Sequence, residues 1–172
     1  MINKTAFVLV FGLSLFIIQA GQAQQIVKWK QNLPESRTGS GSHEESKVYH
    51  LTSEQLLPEN ASGSLDVELP ASGFVGFVGL SEIATVDNGT AEYGISIKDN
   101  RFSVLVNGQS QMQPMNFLPD DVIKIDRSGG VISFFMNGHP IFIIENGSRA
   151  ALAVDLVVVS SKNDAPSITT SF

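Results

Sequence analysis

The chain has 172 residues, 42% hydrophobic and 16% charged, with fifteen glycines, no cysteine and a formal charge of −6. That length suits one domain, or one domain plus a processed segment, and the composition is neither that of a disordered chain nor that of a polytopic membrane protein. The missing cysteine excludes disulfide scaffolds, thiol catalysis and cysteine-bound zinc, and the acidic balance disfavours nucleic acid, whose binding draws on clustered Lys and Arg.

In chain order, Lys4 precedes an apolar run from Thr5 to Ile18, and Gly21-Gln22-Ala23 places small residues at −3 and −1 of a cleavage point before Gln24. This is the layout of a secretory signal peptide over residues 1–23. The run is shorter than the roughly 18 residues that a spanning helix needs, so no membrane span is expected in the mature chain. Cleavage removes Lys4 and no acid, leaving residues 24–172 as a single domain of charge −7. Its expected location is outside the cell, at the cell surface or in the periplasm.

Ile26–Lys30 reads as a first short strand, and the Ser- and Gly-rich residues 34–46 read as a loop. Strands are then expected at Lys47–Thr52, Leu65–Leu69, Gly73–Ser81, Tyr93–Lys98, Phe102–Val106, Val122–Arg127, Val131–Met136, Pro140–Glu145 and Leu152–Ser160. Each carries β-branched or aromatic residues at strand length. Glu54–Leu57 could make one helical turn and no more. Alternation sends Val122, Lys124 and Asp126 to one face and Ile123 and Ile125 to the other. Leu152–Ser160 is apolar on both faces except at Asp155, as befits a central strand covered on both sides.

Asn-Gly pairs at 88–89, 107–108, 137–138 and 146–147, and Gly129-Gly130, supply residues that tolerate the positive φ of tight hairpins. Val122–Glu145 therefore reads as a three-stranded antiparallel meander. Many short strands with such turns specify an all-β sandwich or barrel. An outer-membrane barrel is the membrane alternative. It is disfavoured because the closing row of Pro166, Ile168, Thr170 and Phe172 is broken and rich in hydroxyls.

Gly76-Phe-Val-Gly-Leu-Ser81, Ala91-Glu-Tyr-Gly-Ile-Ser-Ile97, the run from Pro119 to Gly138 and Ala151-Leu-Ala-Val-Asp155 form an ordered set. In that order they resemble concanavalin A-like (lectin/glucanase-type) modules of exported bacterial proteins, and more distantly SPRY domains. The resemblance covers about half the chain. It implies an antiparallel two-sheet jelly-roll sandwich with an extracellular binding role, to carbohydrate first and to a surface protein as the alternative. Some relatives are glycosidases, whose catalytic strand carries a Glu nucleophile, an Asp two residues on and a Glu acid beyond. The nearest match here is Ser64-Leu-Asp66-Val-Glu68, with Ser64 where the nucleophile would stand. A retaining glycosidase needs both carboxylates. The segment therefore reads as an edge strand with a charged outer face, and no catalytic residue is assigned.

Other chemistry is sparse. His43, His50 and His139 are far apart and lack metal-ligand spacing. Asp87-Asn-Gly89 and Asp120-Asp121 offer oxygens to calcium, but neither completes a coordination loop. No metal site and no cofactor is expected. Sugar sites stack rings on flat side chains and orient hydroxyls with polar groups. Trp29, Tyr49, Asn137 and His139 are accordingly the candidate ligand contacts. The expected function is that of a non-catalytic module that binds a glycan or another cell-surface polymer.

Overall fold

A computed structural model describes residues 23–30, 48–70, 73–82, 91–161 and 166–172. The signal-peptide reading of 1–23 and the loop 34–46, with His43 and Asp87-Asn-Gly89, fall almost wholly outside these residues.

Among the described residues every regular element is a strand. In chain order these are β1 (Gln25–Ile26), β2 (Trp29–Lys30), β3 (Tyr49–Leu57), β4 (Gly63–Glu68), β5 (Phe74–Glu82), β6 (Tyr93–Lys98), β7 (Arg101–Val106), β8 (Gln109–Ser110), β9 (Met115–Asn116), β10 (Val122–Ser128), β11 (Val131–Met136), β12 (His139–Ile144), β13 (Leu152–Ser161) and β14 (Ser167–Thr170). They form two sheets. One has the order β1-β14-β4-β10-β11-β12; the other runs β2-β3-β13-β5-β6-β7-β8, with β9 also on β7. Every pairing is antiparallel. The result is a two-sheet jelly-roll sandwich, not a closed barrel.

Alternation explains how the sheets meet. Leu65 and Val67 of β4, Ile123 and Ile125 of β10, and Ile132 and Phe134 of β11 are buried from one side. Val78 and Leu80 of β5, Ile95 and Ile97 of β6, Phe102 and Val104 of β7, and Leu152, Val154 and Leu156 of β13 meet them from the other. Each such side chain contributes about 1.5–3 kcal/mol by leaving water. Phe134 and Phe142 add an edge-on ring contact with centroids 6.3 Å apart. The expected meander is present as β10-β11-β12. β13 is an interior strand between β3 and β5, and Ala153 and Asp155 are buried on its side away from the core.

Four local expectations change. Ile26–Lys30 is not one strand: β1 joins the six-stranded sheet and β2 the eight-stranded one, with buried Val27 between them. Glu54–Leu57 is not a helical turn but the end of β3, where a bulge absorbs the register change against β13. β4 is interior, held between β14 and β10, so the Ser64–Glu68 segment is not an edge. Asn146-Gly147 does not take positive φ, whereas Asn107-Gly108, Asn137-Gly138 and the unanticipated Asp99-Asn100 do so at both residues.

Candidate functional site

The side of the eight-stranded sheet turned away from the core carries the most organised polar surface. On β6, Ile95 and Ile97 go to the core, so Gly94, Ser96 and Lys98 face outward. On β7, Phe102 and Val104 go inward, leaving Arg101, Ser103 and Leu105 outside. Register then sets Ser96 opposite Ser103 and Lys98 opposite Arg101. Two cations directly opposite each other repel and lower sheet stability, a placement that a folding requirement does not explain. Arg101 is further positioned by Asn116 of β9, whose Oδ1 accepts its Nε–H at 3.0 Å. Ser96, Lys98, Asp99, Arg101, Ser103 and Pro114 line an open groove of about 560 Å³.

One strand over, Phe77 of β5 pairs with Ser96 and with Val157 of β13. It is partly exposed, on the face opposite the core residues Val78 and Leu80. Its ring rests on Gly94: a Cβ built on that glycine would stand 2.6 Å from Phe77 Cε2. Absence of a side chain at Gly94 thus lets the ring lie against the sheet. An aromatic face, two serine hydroxyls and two cations follow one another across β5, β6 and β7. An apolar platform with a few convergent polar groups is what a small polar ligand requires.

Beside this row lies a buried polar network. Asp155 is 1% exposed. Its Oδ2 accepts from Ser81 Oγ at 2.5 Å, its Oδ1 accepts from Thr52 Oγ1 at 3.1 Å, and His50 Nε2 lies 3.6 Å from Oδ1. Serine and histidine both face the aspartate, so this is not a nucleophile–base–orienter chain, in which the base must reach the nucleophile. Its evident task is to join β3, β13 and β5.

An acidic pair, Glu82 and Glu92, sits at the β5–β6 end of the sheet. Burial and the nearby Glu82 raise the Glu92 carboxyl above its ordinary range, against a backbone hydrogen bond from Glu82 that lowers it. Among the described residues Glu92 Oε2 is buried without a hydrogen-bond partner. Burial likewise raises the Tyr93 phenol, whose oxygen accepts the Ser148 N–H at 2.7 Å. Ser148 Oγ donates to Glu82 Oε1 at 2.6 Å.

The residues singled out from sequence are scattered. Trp29 is half-buried on the core side of β2, packed against the core at the sheet margin. Tyr49, 42% exposed, lies at the start of β3 opposite Val158. Asn137 and His139 flank the β11–β12 turn on the other sheet. The Asn137 amide is engaged at both ends, accepting the Val122 N–H at 2.9 Å and donating to Asp121 at 2.8 Å. His139 is exposed opposite Met136. Asp66 and Glu68 face outward from the six-stranded sheet. Asp66 stands across from Lys124, and Gln24 Nε2 reaches it at 3.0 Å. Burial raises the nearby Asp126 carboxyl, with Lys124 lowering it and Asp66 raising it. Among the described residues no three His, Asp or Glu side chains come together as a metal site.

No protein-family model matches the chain, and no curated protein matches it. Solved structures do. A Crh5 transglycosylase in complex with NAG is 9% identical, with a TM-score of 0.51 over 88% of this chain and 80% of that one. Alginate lyase AlgAT5 from polysaccharide lyase family 7 is 13% identical, with a TM-score of 0.46 over 71% of this chain and 64% of that one. The TRIM65 PSpry domain is 11% identical, with a TM-score of 0.45 over 70% and 66%. The chain spans just under two thirds of the last two proteins. At such identities the likeness concerns fold alone: the two-sheet sandwich has a concanavalin A-like jelly-roll fold.

Proposed function

We propose that this protein is an exported, non-catalytic module that binds carbohydrate on the outer side of its eight-stranded sheet. The carrying observation is the row of Phe77 over Gly94, Ser96 and Ser103, ending in Lys98 and Arg101 above a groove of about 560 Å³. A sugar ring has an apolar face for the Phe77 ring and hydroxyls for the serines. Its ring and exocyclic oxygens can accept hydrogen bonds from Lys98 and Arg101. Trp29, Tyr49, Asn137 and His139 take no part in this arrangement.

Placement also favours binding over cleavage. Glycoside hydrolysis in its usual form needs two carboxyl groups flanking one bond. Among the described residues Asp99 is the one carboxylate lining the groove, while Asp66 and Glu68 belong to the other sheet. No cofactor enters the proposal. Affinity of an open groove of this kind should be modest, about −4 to −8 kcal/mol, which is millimolar to micromolar.

The test is a glycan array probed with residues 24–172, with and without chelator, followed by incubation with any retained polymer. Retention that Phe77→Ala abolishes, with no reducing sugar released, supports the proposal. Reducing-sugar release that disappears on Glu92→Gln would overturn the non-catalytic part. Absence of retention on every glycan, together with a reproducible surface-protein partner, would replace carbohydrate by protein as the ligand.

A further inference from the structure

Alternation along β10 puts Arg127 on the same side as Ile123 and Ile125, and it is 1% exposed. Its Nε donates to Ala61 O at 2.9 Å, and its two terminal nitrogens donate to Ala150 O and Pro58 O. The guanidinium thereby ties the β3–β4 and β12–β13 connections to one end of the six-stranded sheet. Arginine carries five N–H donors. Three are used here, which leaves two. The carbonyls satisfy donors but do not neutralise a charge. Among the described residues no carboxylate pairs with Arg127, and burial lowers its pKa.

A second cation borders the same space. Arg149 is exposed, and its terminal nitrogen reaches Gly129 O at 3.4 Å, again with no carboxylate partner among the described residues. Its backbone oxygen accepts the Asn60 N–H at 2.8 Å, fixing the segment beside the β3–β4 turn. The carboxylate adjacent in sequence, Glu59, is exposed and accepts from the Asn60 side chain at 3.2 Å, not from either guanidinium. Arg127, Arg149, Asn60, Ala61, Gly129 and Gly130 line a cavity of about 120 Å³. Water occupies about 30 Å³ in the liquid, so the cavity holds roughly four waters' worth of space. Both guanidiniums border this small polar space, and an anion there would meet positive charge from the buried wall and from the exposed rim.

We infer that this cavity is an oxyanion site in which Arg127 and Arg149 together hold a carboxylate, sulfate or phosphate group. The guanidinium fork matches such groups in shape and donates charge-assisted hydrogen bonds to them. The buried Arg127 supplies a fixed wall and the exposed Arg149 closes over the entrance. The site is separate from the Phe77 groove, and the inference does not depend on the carbohydrate reading. The group could arrive as a free ion or as the acidic substituent of a larger molecule.

Isothermal titration of the purified chain with sodium sulfate, against sodium chloride at matched ionic strength, tests it. One saturable sulfate per chain is expected. Arg149→Gln should weaken it by about tenfold or more, the loss of one charged donor pair. Lys98→Gln, a cation of the groove, should leave it unchanged. Because Arg127 variants can fail to fold, Arg149→Lys is the second probe, and partial recovery is expected from a charge without the fork. A sulfated monosaccharide binding more tightly than sulfate identifies a substituent as the source; equal or weaker binding identifies the free ion. The site is refuted by no saturable binding of sulfate, phosphate or acetate, or by binding that survives Arg149→Gln but is lost in Lys98→Gln.

Discussion

Asn137 and Asp121 are bonded side chain to side chain at 2.8 Å, and through that contact the β11–β12 hairpin is locked to the start of β10. Asp121 Oδ2 also accepts the Leu118 N–H at 2.7 Å, while Asn137 Oδ1 takes the Val122 N–H at 2.9 Å. Asn137 stands at φ 50°, a conformation asparagine tolerates better than most residues. Asn137→Ala should therefore destabilise by about 1–2 kcal/mol, from lost hydrogen bonds and backbone strain together. Urea unfolding of the variant measures it, and an unchanged midpoint would show that the contact contributes nothing.

The same contact sets an acid response. The Leu118 N–H and the Asn137 amide hold the Asp121 carboxyl below its ordinary range. A group depressed in this way contributes stability above its unfolded pKa and loses it as pH falls through the folded value. Asp121→Asn should flatten the acid limb of the stability curve. Asp121 is only partly buried, so the effect should be small and should shrink with added salt.

At Gly138 the turn takes φ 81° with nothing near the position a Cβ would occupy. Any penalty for a side chain there is one of backbone alone. Gly138→Val should lower stability by about 1–3 kcal/mol. A variant that melts within about one degree of the parent would contradict the hairpin geometry.

Glu92 acts in the opposite direction to Asp121. Its carboxyl is raised by burial first and by Glu82 second, so the folded chain holds the proton more tightly than the unfolded chain does. The stability this provides is present below the unfolded pKa and disappears as pH rises through the folded one. Glu92→Gln should remove that alkaline-going loss and leave the variant more stable than the parent at neutral pH. Asp126, also raised by burial, contributes with the same sign. Thermal melts of Glu92→Gln and Asp126→Asn between pH 4 and about 8 separate the two.

Asp155 gathers hydroxyls from two other strands in a place with almost no access to water. Asp155→Ala would strand Ser81 and Thr52 as well as open a cavity. A loss of about 2–4 kcal/mol is expected, with Asp155→Asn costing less because the amide oxygen can still accept. Chemical denaturation gives both values, and equal losses would contradict the hydrogen-bond account.

Much of the fold is legible in the sequence because alternation and turn chemistry are local. Ile123, Ile125 and Arg127 share a parity, so the burial of Arg127 follows from the period of β10. Its task does not, since the three carbonyls it binds belong to residues 23 to 69 positions away. Phe77 is overlooked for a different reason. Gly73–Ser81 is apolar on both faces, and alternation alone cannot say which face meets the core. β8 and β9 have two residues each and no β-branched side chain, leaving them without a local signal. The division of Ile26–Lys30 depends on Thr169 and Ser53, one far along the chain, which no window over the segment contains.

That division has a consequence for connectivity. β1 pairs Gln25 with Thr170, so the first and last described strands lie side by side at one sheet margin. Of all the ladders it encloses the longest loop, and its closure entropy is correspondingly the largest. The pairing also brings the two ends of the folded unit within a short linker of each other. A circular permutant that joins them and opens at the exposed Asn107-Gly108 turn would keep the core ladders while turning this long-range closure into a local one. In exchange, the β7–β8 pairing across the new opening takes over the long-range closure, so the permutant redistributes the closure entropy between the two sheets.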